Sequence, residues 1–397
     1  MFKIGILLDG QPNNGGSYQF WLSILKALAE LNKEEYKVII FTPYEKWGKI
    51  SREYGLSFIK LYEHKNWLNR RIENNFWGFY QTPVIGKILS FLYRKCDCNI
   101  QIIKKENLHF WIASKVEGIG DYQGIPTMIP IFDLMHRYEG IFQEVSIEYE
   151  ERERHYKYQC QYAEIILADS NVGKKQITES YGNLRENLEQ HIKVLPFVPP
   201  DYIYHTEIAQ KPSFSLFPKY FFYPAQFWTH KNHKNLLLAQ KQLKKRGIKV
   251  KTIFVGSEQN NRDNIEELIR ENGLEEDVII LGYVTNEEMI YLYKNARALI
   301  MPTFFGPTNI PQLEAFELGC PVATSRIYGI PEQVGDAALL FDPNSIEEIA
   351  NIMEKLWTDD ELCENLVQKG KKHAEQWGQT QFNEKLKNII EEYRKKL

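Results

Sequence analysis

Four stretches put polar, charged or glycine residues directly behind a strand-like run, where open α/β sheets hold their ligands. The first is Gly15-Gly16-Ser17, after the apolar run Phe2–Leu8. Paired glycines let a backbone approach a ligand closely, and a helix start offers N–H groups to a phosphate. The second is Asp133, His136 and Arg137, just past Thr127–Phe132. Polar groups converging at one strand end suit a binding or proton-transfer role. The third is Lys231, flanked by His230, His233 and Lys234 behind Tyr220–Tyr223. A cation at a helix start can hold one phosphate together with the helix N–H groups. The fourth is the run PTFFGPTNIPQLEAFELGCPVATSRIYGIPE, Pro302 to Glu332, behind Ala298–Met301. Its one early helical carboxylate, Glu314, can accept hydrogen bonds from hydroxyls.

These groups need a scaffold that repeats strand, turn and helix, and the chain supplies one. Strand-like runs are expected at Phe2–Leu8, Lys37–Phe41, Leu108–Ala113, Thr127–Phe132, Glu164–Ala168 and His191–Leu195, with helical spacing from Tyr18 to Leu31 and from Val145 to Ala163. This alternation is how a doubly wound parallel sheet is built. Pro196, Pro199, Pro200, Pro212 and Pro218 then mark a linker. The alternation resumes with Tyr220–Tyr223, Lys251–Val255, Val278–Leu281, Ala298–Met301 and Val322–Thr324. From Ser345 the chain reads as charged helices with a break near Gln376-Trp377-Gly378. The reading is therefore two α/β domains, 1–198 and 219–378, with a linker at 199–218 and a final helix at 379–397.

Composition narrows the function classes. A chain of 397 residues with net charge −3 has no field that would draw nucleic acid. Five cysteines, an odd number, fit a reducing compartment, and Cys96 and Cys98 lack a second ligand pair for a metal. With no signal-like or membrane-spanning run, cytoplasmic residence is the expectation. The segment from Trp67 to Lys105 mixes Arg70, Arg71, Lys87, Arg94, Lys95, Lys104 and Lys105 with seven aromatic residues. Such a stretch can lie on an anionic membrane face, hold a polyanionic acceptor, or form a core helix pair with a solvated basic edge.

The Gly-Gly-Ser loop, the Lys231-Asn232-His233 helix start and the Pro302–Glu332 run together resemble the GT-B glycosyltransferases of family 4, retaining nucleotide-sugar enzymes. The likeness is specific over the second half and rests mainly on the Gly-Gly loop in the first. It implies two Rossmann-like domains facing across a cleft, with donor bound by the C-terminal domain, acceptor by the N-terminal one, and a last helix, Phe382–Leu397, crossing back. By motif position, Glu314 would bind the donor ribose, Lys231 the diphosphate, and Gly15 and Gly16 the diphosphate or sugar. Val284 would lie by the base, and the amides of Thr308, Asn309 and Ile310 by the sugar hydroxyls. Three positions depart from the pattern: the first Glu of the two-glutamate motif falls on Gly306, the Arg before the phosphate Lys on Gln226, and an N-terminal-domain His on Phe132, leaving Asp133 and His136. An altered sugar pocket is the implied consequence.

The resemblance implies transfer of a sugar from a nucleoside diphosphate to a saccharide or lipid-linked saccharide hydroxyl, with retention. It implies no cofactor and no metal, since Lys231 and loop amides would carry the leaving-group charge. Such enzymes often serve polysaccharide assembly, and peripheral contact with the inner membrane face is a further expectation. Two other classes share the architecture: a nucleotide-sugar epimerase, for which only Asp133 and His136 are acid/base candidates, and a catalytically silent binding subunit.

Overall fold

A computed structural model describes residues 1–10, 15–62, 82, 88, 91–92, 97–113, 124–205, 210–213, 216–306 and 308–397. Most of the Trp67–Lys105 stretch lies outside the described residues. The first sheet holds β1 (Phe2–Leu7), β2 (Tyr36–Thr42), β3 (Ser57–Lys60), β4 (Phe110–Ala113), β5 (Thr127–Pro130), β6 (Ile165–Ala168) and β7 (Ile192–Val194), in the order 3-2-1-4-5-6-7. The second holds β8 (Phe221–Pro224), β9 (Thr252–Val255), β10 (Val278–Leu281), β11 (Ala298–Met301), β12 (Val322–Ser325) and β13 (Ala338–Phe341), in the order 10-9-8-11-12-13. Every pairing is parallel. Parallel strands are covered on both faces, so β4, β6, β9 and β11 are buried throughout and read as short apolar runs.

The order reverses at β1 in one sheet and at β8 in the other. Loops that follow neighbouring strands at such a reversal part to opposite faces and leave a crevice. The Gly15-Gly16 turn follows β1, while the Lys231 turn and the Gly306–Asn309 loop follow the neighbours β8 and β11. The topology thus places three of the four stretches at switch points.

Two strands escaped the sequence reading. β3 is half exposed at the sheet edge, and β13 comes soon after the short helix Ile330–Val334. The helix expected from Val145 to Ala163 is two pieces, Gln143–Ser146 and Tyr149–Tyr162. The break has a packing reason. Phe142 and Val145 join Met135 and Phe305 in a small core that bridges the two sheet units, while Tyr156 and Cys160 belong to the first sheet's own core. The tail breaks after Ala374, and the Gln379–Arg394 helix returns to the first sheet. There Phe382, Leu386, Ile390 and Tyr393 share a core with Ile4, Trp21 and Phe110. Among the described residues, no helix is long and apolar enough to cross a membrane.

Candidate active site

The position of Lys231 is set by its main chain and neighbours. Its N–H donates to Trp228 O at 3.0 Å, and its carbonyl accepts from the Tyr223 hydroxyl at 2.8 Å. Asn232 follows in the left-handed region at φ 58°, which Asn tolerates better than most residues. Its amide donates to Pro302 O at 2.8 Å and Pro343 O at 2.9 Å, and its Oδ1 caps the next helix at Asn235 N. Phe304 N donates to His230 O at 2.8 Å. The loops after β8 and β11 are therefore one hydrogen-bonded unit.

The Lys231 ammonium lies 3.5 Å from Asn309 Oδ1. Burial pushes its pKa down to about 8, against the pull of the Asp133 carboxylate. Among the described residues no carboxylate forms an ion pair with it. Beside it, the His230 imidazole stacks on Phe305 with centroids 3.8 Å apart, and its Nδ1 lies 2.8 Å from Glu144 Oε1 in the first sheet unit. Burial, then the Lys231 charge, push His230 down to about 3.

Asn309 is held from both sides of its peptide. Gln333 Oε1 accepts from its N–H and Gln333 Nε2 donates to its carbonyl, each at 2.8 Å. Gly306 stands at φ 125°, a conformation that L side chains rarely adopt, and a Cβ there would come within 2.7 Å of the Asn309 amide. A glutamate at that position would need both backbone and Asn309 to move.

Glu314 is buried, and both of its oxygens are occupied. Tyr202 OH donates to Oε1 at 2.8 Å and Tyr293 OH to Oε2 at 2.6 Å. Burial raises the Glu314 pKa and the two phenols oppose that rise. A carboxylate keeps further lone pairs, so a diol could still share these oxygens or displace Tyr202.

Thr308 reaches across to the first sheet unit, its hydroxyl donating to Asp169 Oδ2 at 2.5 Å. Desolvation pushes Asp169 up to about 7 despite that bond and one from Ser170. Asp169-Ser170-Asn171 follows β6 directly and has the composition of a helix N-cap. Ser170 does cap, accepting from Gly173 N at 3.0 Å, while Asp169 points away to the other unit. Its signal in the sequence was the one that marked Asp133: a carboxylate one residue beyond a strand. Glu332 makes the reverse crossing and accepts from Asn171 N, Asn171 Nδ2 and Val172 N at 2.9, 2.7 and 3.2 Å. Gly16 closes the same gap near β1, since a Cβ there would lie 3.4 Å from Ile310 Cδ1.

The other marked residues separate. Asp133 lies at the end of β5 with Oδ1 held by Met135 N at 3.0 Å and Arg152 Nη2 at 2.5 Å. His136 turns inward, 1% exposed, with Nε2 2.9 Å from Glu153 Oε1. Arg137, Lys157 and Tyr181 share that Glu153, and burial pushes His136 down. Phe132 packs on Phe20 and Phe197. Gln226 is exposed and accepts from Trp228 Nε1 at 3.0 Å. Val284 is buried after β10, beside Tyr283, which is 76% exposed. The structure thus groups Gly16, Lys231, Thr308, Asn309 and Ile310, with Asp133 and Glu314 beside them. It leaves His136 inside the first unit and Gln226 at the surface.

Residues 204–373, the segment that carries Lys231, Asn309 and Glu314, match the family model for glycosyl transferases group 1. The second sheet unit is a glycosyl transferases group 1 domain. The O-antigen chain mannosyltransferase B of Escherichia coli is 37% identical over 116 residues, which is 29% of this chain and 30% of that one. The serotype-specific mannosyltransferase WbdA of Escherichia coli is 29% identical over 89 residues, 22% of this chain and 11% of that one. The chain therefore spans less than a third of the length of these relatives. The crystal structure of Anabaena Alr3699/HepE in complex with UDP and glucose superposes with a TM-score of 0.69 at 14% identity, covering 99% of this chain and 100% of that one. The whole chain has the GT-B fold, two parallel α/β units whose strand ends face each other.

Proposed function

We propose that the protein is a retaining hexosyltransferase that moves a sugar from a nucleoside-diphosphate sugar to a saccharide hydroxyl during polysaccharide or glycoconjugate assembly. The observation that carries the reading is Lys231, a half-buried ammonium at a sheet switch point with an amide oxygen beside it and no bonded carboxylate among the described residues. A charge drawn partly out of water without a counter-ion is costly, and a diphosphate would supply one. Glycosyl transfer needs that stabilisation as the sugar–phosphate bond opens and negative charge grows on the leaving group. The two mannosyltransferases that part of the chain matches make a mannosyl donor the first to test.

Retention by double displacement would need a carboxylate beside the anomeric carbon. Glu314 is engaged by two tyrosines and Asp133 by Arg152. Same-face attack, with the departing phosphate taking the acceptor proton, fits these partners better. The acceptor, saccharide or lipid-linked, would enter from the first unit near Asp133. Closure of the two units would exclude water. We propose further that the leaving-group charge falls on Lys231 and loop N–H groups and that no metal is required. Among the described residues, no three His, Cys, Asp or Glu side chains converge as a metal site would need.

The test is product analysis with labelled nucleoside-diphosphate hexoses, a saccharide acceptor and EDTA. Transfer with unchanged anomeric configuration supports the proposal. Isomerised donor would identify an epimerase, and bound but unaltered donor a silent subunit. Inversion, or loss of activity restored by a divalent cation, would overturn the mechanism.

A further inference from the structure

Asn309 occupies the N-cap position of the Ile310–Glu317 helix, yet its side chain makes no capping hydrogen bond. An Asn at that position ordinarily accepts from the second or third helical N–H, and forgoing the bond costs helix stability. The side chain is instead turned toward Lys231. Lysine can only donate, so the oxygen of the amide faces Nζ, at 3.5 Å. That orientation leaves Nδ2 as the outward donor. It is buried, in a residue 8% exposed, and has no hydrogen-bond partner among the described residues. Buried polar groups are nearly always paired, so an orphaned donor needs a reason.

Nothing about the neighbourhood makes this placement accidental. Gln333 fixes the Asn309 peptide with two 2.8 Å bonds. Gly306 leaves room for the amide, since a Cβ there would come within 2.7 Å of both Oδ1 and Nδ2. Gln333 and Gly306 therefore hold an N–H that has no partner beside an ammonium that has no counter-ion, among the described residues.

We propose that the Asn309 side-chain amide is a ligand-binding group of this site, its Nδ2–H donating to a diphosphate oxygen of the nucleotide donor while Oδ1 orients the Lys231 ammonium. Gln333 is the positioning residue that keeps the amide there. The inference rests on the proposed nucleotide-sugar reading and assigns the Asn309 side chain a role distinct from its backbone.

The experiment is calorimetric titration of nucleoside diphosphates into the full chain and its Asn309→Ser, Asn309→Asp, Gln333→Ala and Lys231→Ala variants, with melting temperatures of the ligand-free proteins. Serine caps helices as well as Asn but lacks the amide, so Asn309→Ser should weaken binding about 10- to 100-fold without lowering the melting temperature. Asn309→Asp should weaken it further, because the carboxylate would compete with the diphosphate for Lys231. Gln333→Ala should weaken binding several-fold, with little added loss when combined with Asn309→Ser. Asn309→Ser with unchanged affinity, alongside a weakened Lys231→Ala, would overturn this inference and leave the nucleotide reading standing. Failure of the unsubstituted protein to bind any nucleoside diphosphate would overturn both.

Discussion

The facing edges of the two sheets handle charge in opposite ways. On the first, the carboxylates behind β5 and β6 are already matched: Asp133 by Arg152, Glu153 by Arg137, Lys157 and His136, and Asp169 by the Thr308 hydroxyl. On the second, behind β8 and β11, among the described residues Lys231 has no bonded carboxylate and Asn309 Nδ2 has no partner. Satisfied networks rigidify a structure, whereas an unmatched buried group marks where a ligand completes it. On the proposed function, the second edge binds the anion and the first shapes the gap.

Lys231→Met should break this contrast most. Loss of the cation is expected to lower transfer by about 10²–10³-fold, the scale for removing one donor to a developing oxyanion, measured as kcat/KM. Ligand-free stability should move the other way. The folded pKa, about 8, lies below the ordinary 10.5, so the unfolded chain binds more protons between them. The cost of burying the ammonium is therefore full below pH 8 and fades as pH rises toward 10.5. Denaturant titrations should find the variant more stable than the parent at pH 7, with the gain shrinking by pH 10. A variant less stable at pH 7 would mean that Lys231 is satisfied by the fold.

Asp169→Asn asks the same question of the first edge. Here the folded pKa, about 7, lies above the ordinary 3.8. The native state holds a proton that the unfolded chain has released, so stability falls as pH rises from 4 through 7. The shift corresponds to at most roughly 4 kcal/mol. Asn keeps an acceptor for Thr308 and removes the titration. The variant should therefore match the parent near pH 4 and exceed it by a few kcal/mol at pH 8, read from urea midpoints. A constant difference across that range would place Asp169 in wetter surroundings.

How much of this was legible in the sequence depends on distance along the chain. Buried parallel strands announce themselves as apolar runs, so eleven of the thirteen strands and the position of Lys231 behind β8 could be read locally. β3, with both end residues exposed, gave no such run. The Thr308–Asp169 bond joins residues 139 apart in the chain, and no local pattern encodes it. His136 and Asp133 looked like one cluster because they are three apart. The Met135–Tyr138 turn sends His136 inward to Glu153 while Asp133 stays with Arg152 at the strand end. The likeness in type between Asn309 and an ordinary helix cap hid its other use.

Glu314→Gln sharpens the contrast within the second edge. If the carboxylate serves the ribose, the substitution should weaken a nucleotide sugar by roughly 1.5–3 kcal/mol and spare a 2′,3′-dideoxyribose analogue. If it serves Tyr202 and Tyr293, the melting temperature should fall and both ligands should weaken equally. A four-way titration gives the coupling energy directly, and a value near zero would remove Glu314 from direct ribose contact.

The smallest effect is expected at Glu332, and it tests whether the two edges are joined by charge as well as by packing. Its carboxylate reaches from the second unit to the first N–H groups of the Asn171–Tyr181 helix, where a negative charge is favoured by the helix dipole. The contact is exposed, so water competes for it and salt screens it. Glu332→Gln should lower the melting temperature by about 1–3 °C at low ionic strength, and the difference should shrink at 1 M salt. Asp169, buried with Thr308, should show no such salt dependence. The shared-partner variant Asn171→Ala should add little to Glu332→Gln, because the Nδ2 bond it removes is one that the Glu332 charge strengthens. A Glu332 effect indifferent to salt, or fully additive with Asn171→Ala, would mean that the carboxylate acts within its own unit and that the buried Asp169–Thr308 bond is the polar tie to this helix junction.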